Sequence, residues 1–452
     1  MAAAENLPED RVLCVTQSHA AAMNLHKRLE FFGVPAARVG TTLTPKEIVE
    51  QKIFQDVKER WGADEDEVVF MEDASQVPDY TGMERSKDLQ KSQFTVMRRM
   101  VMISKVAVLT LASSGNQGLC GMGGFEALVI DEAAQVVEPG PWIPLAWGPK
   151  RMILVGDEKQ LPATVLHPRA RDEGLGISLF ERFVKDNIVS HGNGFVQLDE
   201  QQRMHPSIAE FPSRCFYDGT LTNGPATATH RPKIPGFPWP SEEVQVAFVE
   251  CGALKGQEGG RSHENPEEAE ALIMVLEHCL RQGLKPSQVG IITGYSAQQE
   301  LLRRLWSQLA PRLNLQAKEL RVDTVDGFQG AERDLILAST VRSFFEVGFM
   351  RDPRRVNVML TRARRGLIVF GNAPTLHTEM NTWKPWIEWM ETRRVGVPLE
   401  TLKEQLDEQL RHQDQWETYV DPDSDRKWQY NKAQWAVRSG LLCRGTAACS
   451  SF

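Results

Sequence analysis

The chain lacks any apolar run long enough to span a bilayer as a helix, and its opening Met-Ala-Ala-Ala-Glu-Asn-Leu-Pro-Glu-Asp has no basic-then-apolar signal order. These absences argue against a helical membrane protein and a secreted one. Cysteine is scarce: seven residues, an odd number, with no Cys-x-x-Cys pair. That speaks against a disulfide framework and a zinc site, and for reduced thiols in the cytoplasm or nucleus. Cys449-Ser450-Ser451-Phe452 places a cysteine where prenylation needs one, but the two middle residues are not aliphatic. Excess positive charge is also missing. With 52 basic and 60 acidic residues the net charge is −8, so any contact with nucleic acid must be a local groove. Arginine does gather at Arg351, Arg354, Arg355, Arg362, Arg364 and Arg365, a run that is usually a solvated face. Finally, none of the 34 glycines is followed by lysine, so these residues hold no Gly-x-x-x-x-Gly-Lys-Thr/Ser phosphate loop.

What is present reads as a soluble globular chain, 41% hydrophobic and 25% charged, too long at 452 residues for one core. Residues 12–15 predict a buried strand, and 20–32 a helix with Met23, Leu25, Leu29 and Phe32 near one face, ended by Gly33. Residues 41–104 are more polar, with acids at 64–67 and a helix predicted over 84–102, and read as an insertion on the core. Strands follow at 106–110, 127–130 and 152–155. None of these runs alternates polar with apolar residues, which suits parallel strands covered on both faces. A second α/β unit is expected from about Gly194, with strands at 195–198, 289–293, 322–325, 335–337 with Ala338, and 367–370. Its helix carries Leu301, Leu302, Leu305 and Leu309. Residues 219–266, rich in proline and glycine, read as a long irregular connection. A charged amphipathic helix is expected over 399–412, before a tryptophan-rich tail.

Ligands of parallel sheets sit beyond the carboxyl ends of the strands, where Asp131 and Glu132 follow the apolar run 127–130. One such carboxylate can hold magnesium, and its neighbour can orient or deprotonate an attacking water. Taken alone, the pair also reads as two solvated acids after a buried strand. A second strand ends in Gly156-Asp157-Glu158-Lys159-Gln160-Leu161-Pro162, where Gln160 can both donate to and accept from a phosphate or its water. Three further blocks follow: Gln201-Gln202-Arg203-Met204-His205-Pro206, Val325-Asp326-Gly327-Phe328-Gln329-Gly330-Ala331-Glu332, and Leu360-Thr361-Arg362-Ala363-Arg364.

With Asp131-Glu132-Ala133-Ala134-Gln135, these blocks resemble, in this order, a superfamily 1 helicase of the nonsense-mediated-decay and senataxin group (DNA2/NAM7-like). The motifs of that group read DEAAQ, GDxxQLPP, QYRMHP, VDxFQGxE and LTRAR. Asp-Pro-Arg-Arg-Val-Asn-Val at 352–358 extends the likeness, which spans about residues 11–395. The resemblance implies α/β architecture with two tandem RecA-like parallel-sheet domains, the first incomplete. ATP and Mg2+ would lie between them, and the protein would move on single-stranded RNA or DNA, typically from 5′ to 3′.

Carried onto this chain, the resemblance makes Asp131 the magnesium ligand and Glu132 the activator of water. Gln160 would sit near the γ-phosphate, and Arg203 and Arg362 would act as arginine fingers. Singly, each arginine reads as a surface salt bridge; inside matched motifs it reads as functional. Gln135, Gly330 and Glu332 fall at nucleotide-binding positions, Glu332 at that of a ribose-binding acid. Thr16, Ser18, Thr110, Tyr295 and Thr324 fall where relatives contact nucleic acid.

Two departures stand out. Gln202 occupies the place of a tyrosine that stacks on adenine, and the phosphate loop is missing. Gly115-Asn116-Gln117-Gly118-Leu119-Cys120-Gly121 lacks the lysine and lies in the wrong place. The chain therefore reads either as part of a working helicase or as a helicase remnant that binds nucleic acid without hydrolysis. The expected division is 1–194 and 195–395 for the two sheets, 396–412 for a linker helix, and 413–440 for a WW-like module. In that module Tyr430 and Trp435 would bind a proline-rich partner; the alternative is a hairpin packed on the helicase body.

Overall fold

The computed structural model describes residues 10–417, apart from 63–65, 76–86, 120–123, 187, 230–231, 253–256, 260–261 and 344–345. Tyr430 and Trp435, and with them most of the expected WW-like module, lie outside the described residues.

The unalternating apolar runs form a five-stranded parallel sheet. Its strands are β1 (Arg11–Thr16), β2 (Ala36–Arg38), β3 (Val106–Thr110), β4 (Phe125–Ile130) and β5 (Arg151–Leu154), in the spatial order β2-β3-β1-β4-β5. Val15 pairs with Ile130, Thr16 with Thr110, and Ile130 with Leu154, so Thr16, Thr110, Asp131 and the Val155-Gly156 exit share one carboxyl edge. β5 is an edge strand with Ile153 50% exposed, not the buried strand its composition predicts. The polar stretch 41–104 is likewise not an add-on. Its helices Pro45–Val49, Lys52–Trp61, Asp66–Ser75 and Lys87–Ile103 are the crossover between β2 and β3. Ile48, Phe54, Val57, Met71, Val96 and Met100 pack in one core with Leu13, Val15, Leu109 and Leu128.

The second sheet has six strands: β6 (Val246–Glu250), β7 (Val289–Thr293), β8 (Arg321–Thr324), β9 (Arg333–Ser339), β10 (Ala363–Gly371) and β11 (Gly396–Pro398), in the order β8-β7-β9-β10-β6-β11. All its pairings are parallel. β6 lies inside the stretch expected to be irregular. Val246 and Phe248 enter the core on one face, and Ala247 and Val249 the core on the other. Burial of each large apolar side chain there is worth about 2 kcal/mol. The strand expected over 195–198 is absent beyond the short Gly194–Phe195, and Val196 and Leu198 are 74% and 84% exposed. That apolar run has no sheet to enter.

Helix Leu179–Lys185 leans Phe180 on the first core, whereas helix Pro206–Phe216 places Ile208, Phe211 and Phe216 in the second. The helix expected over 399–412 is Leu399–Glu417, and it packs Leu402 and Leu406 into the second core instead of standing as a free linker. Arg333 pairs with Ala363, so Glu332 and Arg362 sit side by side at the amino edge of the second sheet. That edge faces the carboxyl edge of the first. Among the described residues no helix is long and apolar enough to cross a membrane.

Candidate active site at the seam between the sheets

On the first sheet, β4 delivers Asp131, whose backbone N–H donates to the Val15 carbonyl at 2.9 Å. The chain then turns sharply at Glu132, which adopts the left-handed region at φ 54°, ψ 39°. For a residue with a Cβ this costs roughly 1–2 kcal/mol. The turn is tied by Glu132 N–H to Asp131 Oδ1 at 3.0 Å and by Ala133 N–H to the Val155 carbonyl at 2.8 Å. Gln135 Nε2 donates to Glu132 Oε2 at 2.7 Å. The exit of β5 passes so close that a Cβ on Gly156 would stand 2.9 Å from the Ala134 nitrogen. Asp157 follows, accepting Lys159 N–H at 2.9 Å and Gln160 Nε2 at 2.7 Å.

On the second sheet, the guanidinium of Arg203 binds the Glu332 carboxylate and donates to the Thr361 carbonyl at 3.1 Å. Arg364 Nε donates to Glu332 Oε1 at 3.0 Å. Arg362, 2% exposed, is fixed by bonds to the Val358 carbonyl (3.1 Å) and Thr361 Oγ1 (2.8 Å).

Several bonds cross the seam. Arg362 Nη2 donates to Gln160 Oε1 at 3.1 Å, and Gln329 Nε2 to Glu132 Oε2 at 3.4 Å. Tyr217 donates its hydroxyl to Asp157 Oδ2 at 2.7 Å and accepts from Asn357 Nδ2 at 2.9 Å, while the same Asn357 nitrogen reaches the Lys159 carbonyl at 2.9 Å. Farther out, Arg354 binds the buried Glu181 at 2.7 Å.

Charge follows this packing. Burial raises both Asp131 and Glu132 above the ordinary carboxylate range; for Glu132 the Gln135 bond opposes that and the Asp131 charge adds to it. Glu332 goes the other way: burial alone would raise it, but hydrogen bonds from Arg364 and Arg203 outweigh that and hold it at about 2. Arg362 is lowered to about 9 by burial and by the neighbouring Arg203. Burial and the Asp157 charge push the Tyr217 hydroxyl well upward.

The structure thus gathers Asp131, Glu132, Gln135, Gln160, Arg203, Glu332 and Arg362 in one region, with Gly330 in a left-handed turn (φ 71°) between Gln329 and Glu332. Gln202 is exposed, bonds Glu200, and lies against Gly224. The five hydroxyl residues fall into two groups. Thr16, Ser18 and Thr110 are at the carboxyl edge of the first sheet, and Tyr295 and Thr324 at that of the second. Their hydroxyls serve the local chain: Thr16 Oγ1 donates to the Ser18 carbonyl (2.9 Å), Ser18 Oγ accepts Ala21 N–H (3.1 Å), and Thr110 Oγ1 donates to Ser113 Oγ (2.9 Å). Tyr295 is buried and its hydroxyl accepts Phe349 N–H at 3.2 Å; Thr324 Oγ1 accepts Gly327 N–H at 3.2 Å.

Sequence reasoning passed over Asp157, Tyr217, Gln329, Asn357 and Arg364. Asp157 carried the same signal as Asp131, an acid just past a buried-strand run. Gln329 and Arg364 lay inside recognised blocks. Asn357 lay inside the 352–358 stretch that extends the likeness, while Tyr217 carried no signal, because its pairing is a fact of packing. Among the described residues no group of three His, Cys, Asp or Glu side chains could hold a metal. Asp131 alone nevertheless suits magnesium, which takes one or two carboxylates and fills its octahedron with phosphate oxygens and water.

Two AAA-domain family models match the chain, over residues 66–168 and 175–374. The regulator of nonsense transcripts 1 homolog of Neurospora crassa is 37% identical over 282 residues, covering 62% of this chain and 25% of that protein. ATP-dependent helicase NAM7 of Saccharomyces cerevisiae is 38% identical over 256 residues, 56% of this chain and 26% of the relative. Helicase sen1 of Schizosaccharomyces pombe is 34% identical over 317 residues, 66% and 18% respectively. The chain therefore spans about a quarter of the length of the first two of these relatives.

Proposed function

Because this chain belongs to the superfamily 1 helicases of the nonsense-mediated-decay and senataxin group, we propose that its seam is the hydrolytic half of an ATP site driving 5′-to-3′ movement on single-stranded RNA or DNA. The observation that carries this reading is the reach of the buried Arg362, from the second sheet, to Gln160 of the first at 3.1 Å. A cation held across a domain seam stabilises charge only when the two halves close, which ties hydrolysis to motion.

In this reading Asp131 holds magnesium, which when bound neutralises the β- and γ-phosphate oxygens. Glu132 orients the water, its carboxylate steadied by Gln135. Gln160 senses the γ-phosphate, Arg203 and Arg362 meet the charge that develops on it, and Glu332 holds the ribose with Gly330 at its turn. With no tyrosine at Gln202, base stacking is weaker and nucleotide choice broader. Thr16, Ser18, Thr110, Tyr295 and Thr324 line the nucleic-acid track through backbone groups more than hydroxyls, since their hydroxyls are already engaged. The cytoplasm or nucleus is the proposed location, from the reduced cysteines. A proline-rich partner for the tail is proposed on its sequence alone; loss of peptide binding in Trp435→Ala is the expected check.

The test is nucleic-acid-stimulated ATP hydrolysis. These 452 residues hold no Gly-Lys dipeptide, so by themselves they are expected not to turn over ATP. A longer product of the same gene carrying an in-frame Gly-Lys-Thr/Ser loop is expected to do so, and Glu132→Gln should lower its kcat at least about 100-fold. Turnover unaffected by Glu132→Gln would overturn the assignment. The second reading, binding without hydrolysis, is favoured by the missing lysine; it holds if no longer product exists and the chain binds single strands without turnover.

A further inference from the structure

The amino edge of the second sheet also holds a cleft of about 470 Å³, which borders the seam at Arg333, next to Glu332, but none of the nucleotide-binding candidates lines it. Four cations converge there: Arg303 from helix Ser296–Leu309, Lys318 from the turn before β8, Arg321 at the start of β8, and Arg333 at the start of β9. The acids in the lining are Glu319 and Asp323. Asp323 is committed locally, its Oδ1 accepting Gln299 Nε2 at 3.0 Å and Thr324 N–H at 3.0 Å. The cations therefore outnumber the acids by four to two.

Their own bonds do not use them up. Arg303 donates through Nε and Nη2 to the Val322 carbonyl (3.1 and 2.8 Å), and Arg321 through Nη2 to the Gly327 carbonyl (2.6 Å) and to Asp323 Oδ2 in an ion pair (3.4 Å). Arg333 donates through Nη1 to the Glu332 carbonyl (2.7 Å), but its buried Nε has no partner. A guanidinium has five N–H donors, so each of these arginines keeps donors in hand. Lys318 is exposed and forms no hydrogen bond or ion pair among the described residues. The arginines also repel one another: Arg333 is lowered first by burial and then by Arg321 and Arg364. A local excess of like charge with spare, forked donors is relieved by a multivalent anion. The aromatic lining the cleft, Trp306, is itself buried and bonded to the Ala317 carbonyl at 2.8 Å, so it offers no exposed face for a base. The lining stops at Asp323, one residue short of Thr324, and includes neither Thr324 nor Tyr295 of the expected nucleic-acid track.

We propose that this cleft, through Arg303, Lys318, Arg321 and Arg333, is a second anion site that takes a small ligand bearing two or more phosphate groups. The assignment does not rest on the seam being an ATP site. It is tested by isothermal titration of the full chain with inorganic pyrophosphate. Saturable binding is expected, and it should persist in Arg203→Met, which alters the seam only. Arg333→Met should weaken it by about tenfold, the loss of one charge-assisted contact of roughly 1.4 kcal/mol. Lys318→Met, an exposed change that leaves packing untouched, should weaken it too, with an unchanged melting curve. The absence of saturable binding, binding that survives both Lys318→Met and Arg333→Met, or binding lost in Arg203→Met would each overturn the proposal. So would displacement of pyrophosphate by a short single-stranded oligonucleotide, which would make the cleft a polynucleotide surface.

Discussion

At the scale of single residues, the seam is held by polar groups that each have a named partner across it. Tyr217 is the clearest case. Its hydroxyl serves Asp157 and Asn357 at once, so Tyr217→Phe leaves a half-buried carboxylate and a buried amide short of one bond each. The expected cost is about 1–3 kcal/mol, read from chemical denaturation. It should be strongly non-additive with Asp157→Asn, because both substitutions break one network. Glu332 provides a pH signature. Its folded value of about 2 lies below the ordinary 4.5, so the stabilisation is complete above pH 4.5 and is lost as pH falls towards 2. Urea midpoints measured between pH 5 and pH 3 should therefore fall, and Glu332→Gln should flatten that slope. Little of this was legible in the sequence. The blocks named Arg203, Arg362 and Glu332, but the pairing of Tyr217 with Asp157 depends on two chain segments that only folding brings together.

At the scale of elements, strands buried on both faces were legible wherever an apolar run stood out from its surroundings, as in β3 and β9. β6 was hidden because proline and glycine on both flanks outweighed five apolar-rich residues in any composition window. The crossover helices of residues 45–75 were hidden for the opposite reason: their exposed faces are so polar that the buried stripe of Ile48, Phe54, Val57 and Met71 is diluted, whereas the helix Lys87–Ile103 was expected over 84–102. The short return from β8 to β9 shows how tightly an element can constrain one position. Phe328 crosses directly over Gly290, where any Cβ would collide with its ring. Gly290→Ala should cost about 1–3 kcal/mol in denaturant unfolding, with relief when Phe328 is trimmed to leucine in the same chain. Independent, additive losses would show that the crossing does not constrain Gly290.

At the scale of the whole molecule, two parallel sheets meet edge to edge, the carboxyl end of one against the amino end of the other. In the proposed reading, this arrangement would let acids from one half and arginines from the other address a single phosphate chain. The central claim is that Arg362 of the second sheet acts on a nucleotide held by the first. Its most direct test is the ATPase of a gene product that carries the phosphate loop, with wild type compared to Arg362→Ala and Arg362→Lys at matched thermal stability. The account predicts that kcat falls by about 1,000-fold in Arg362→Ala with little change in KM for ATP, and that lysine restores only a small part. Wild-type kcat in Arg362→Ala would contradict it.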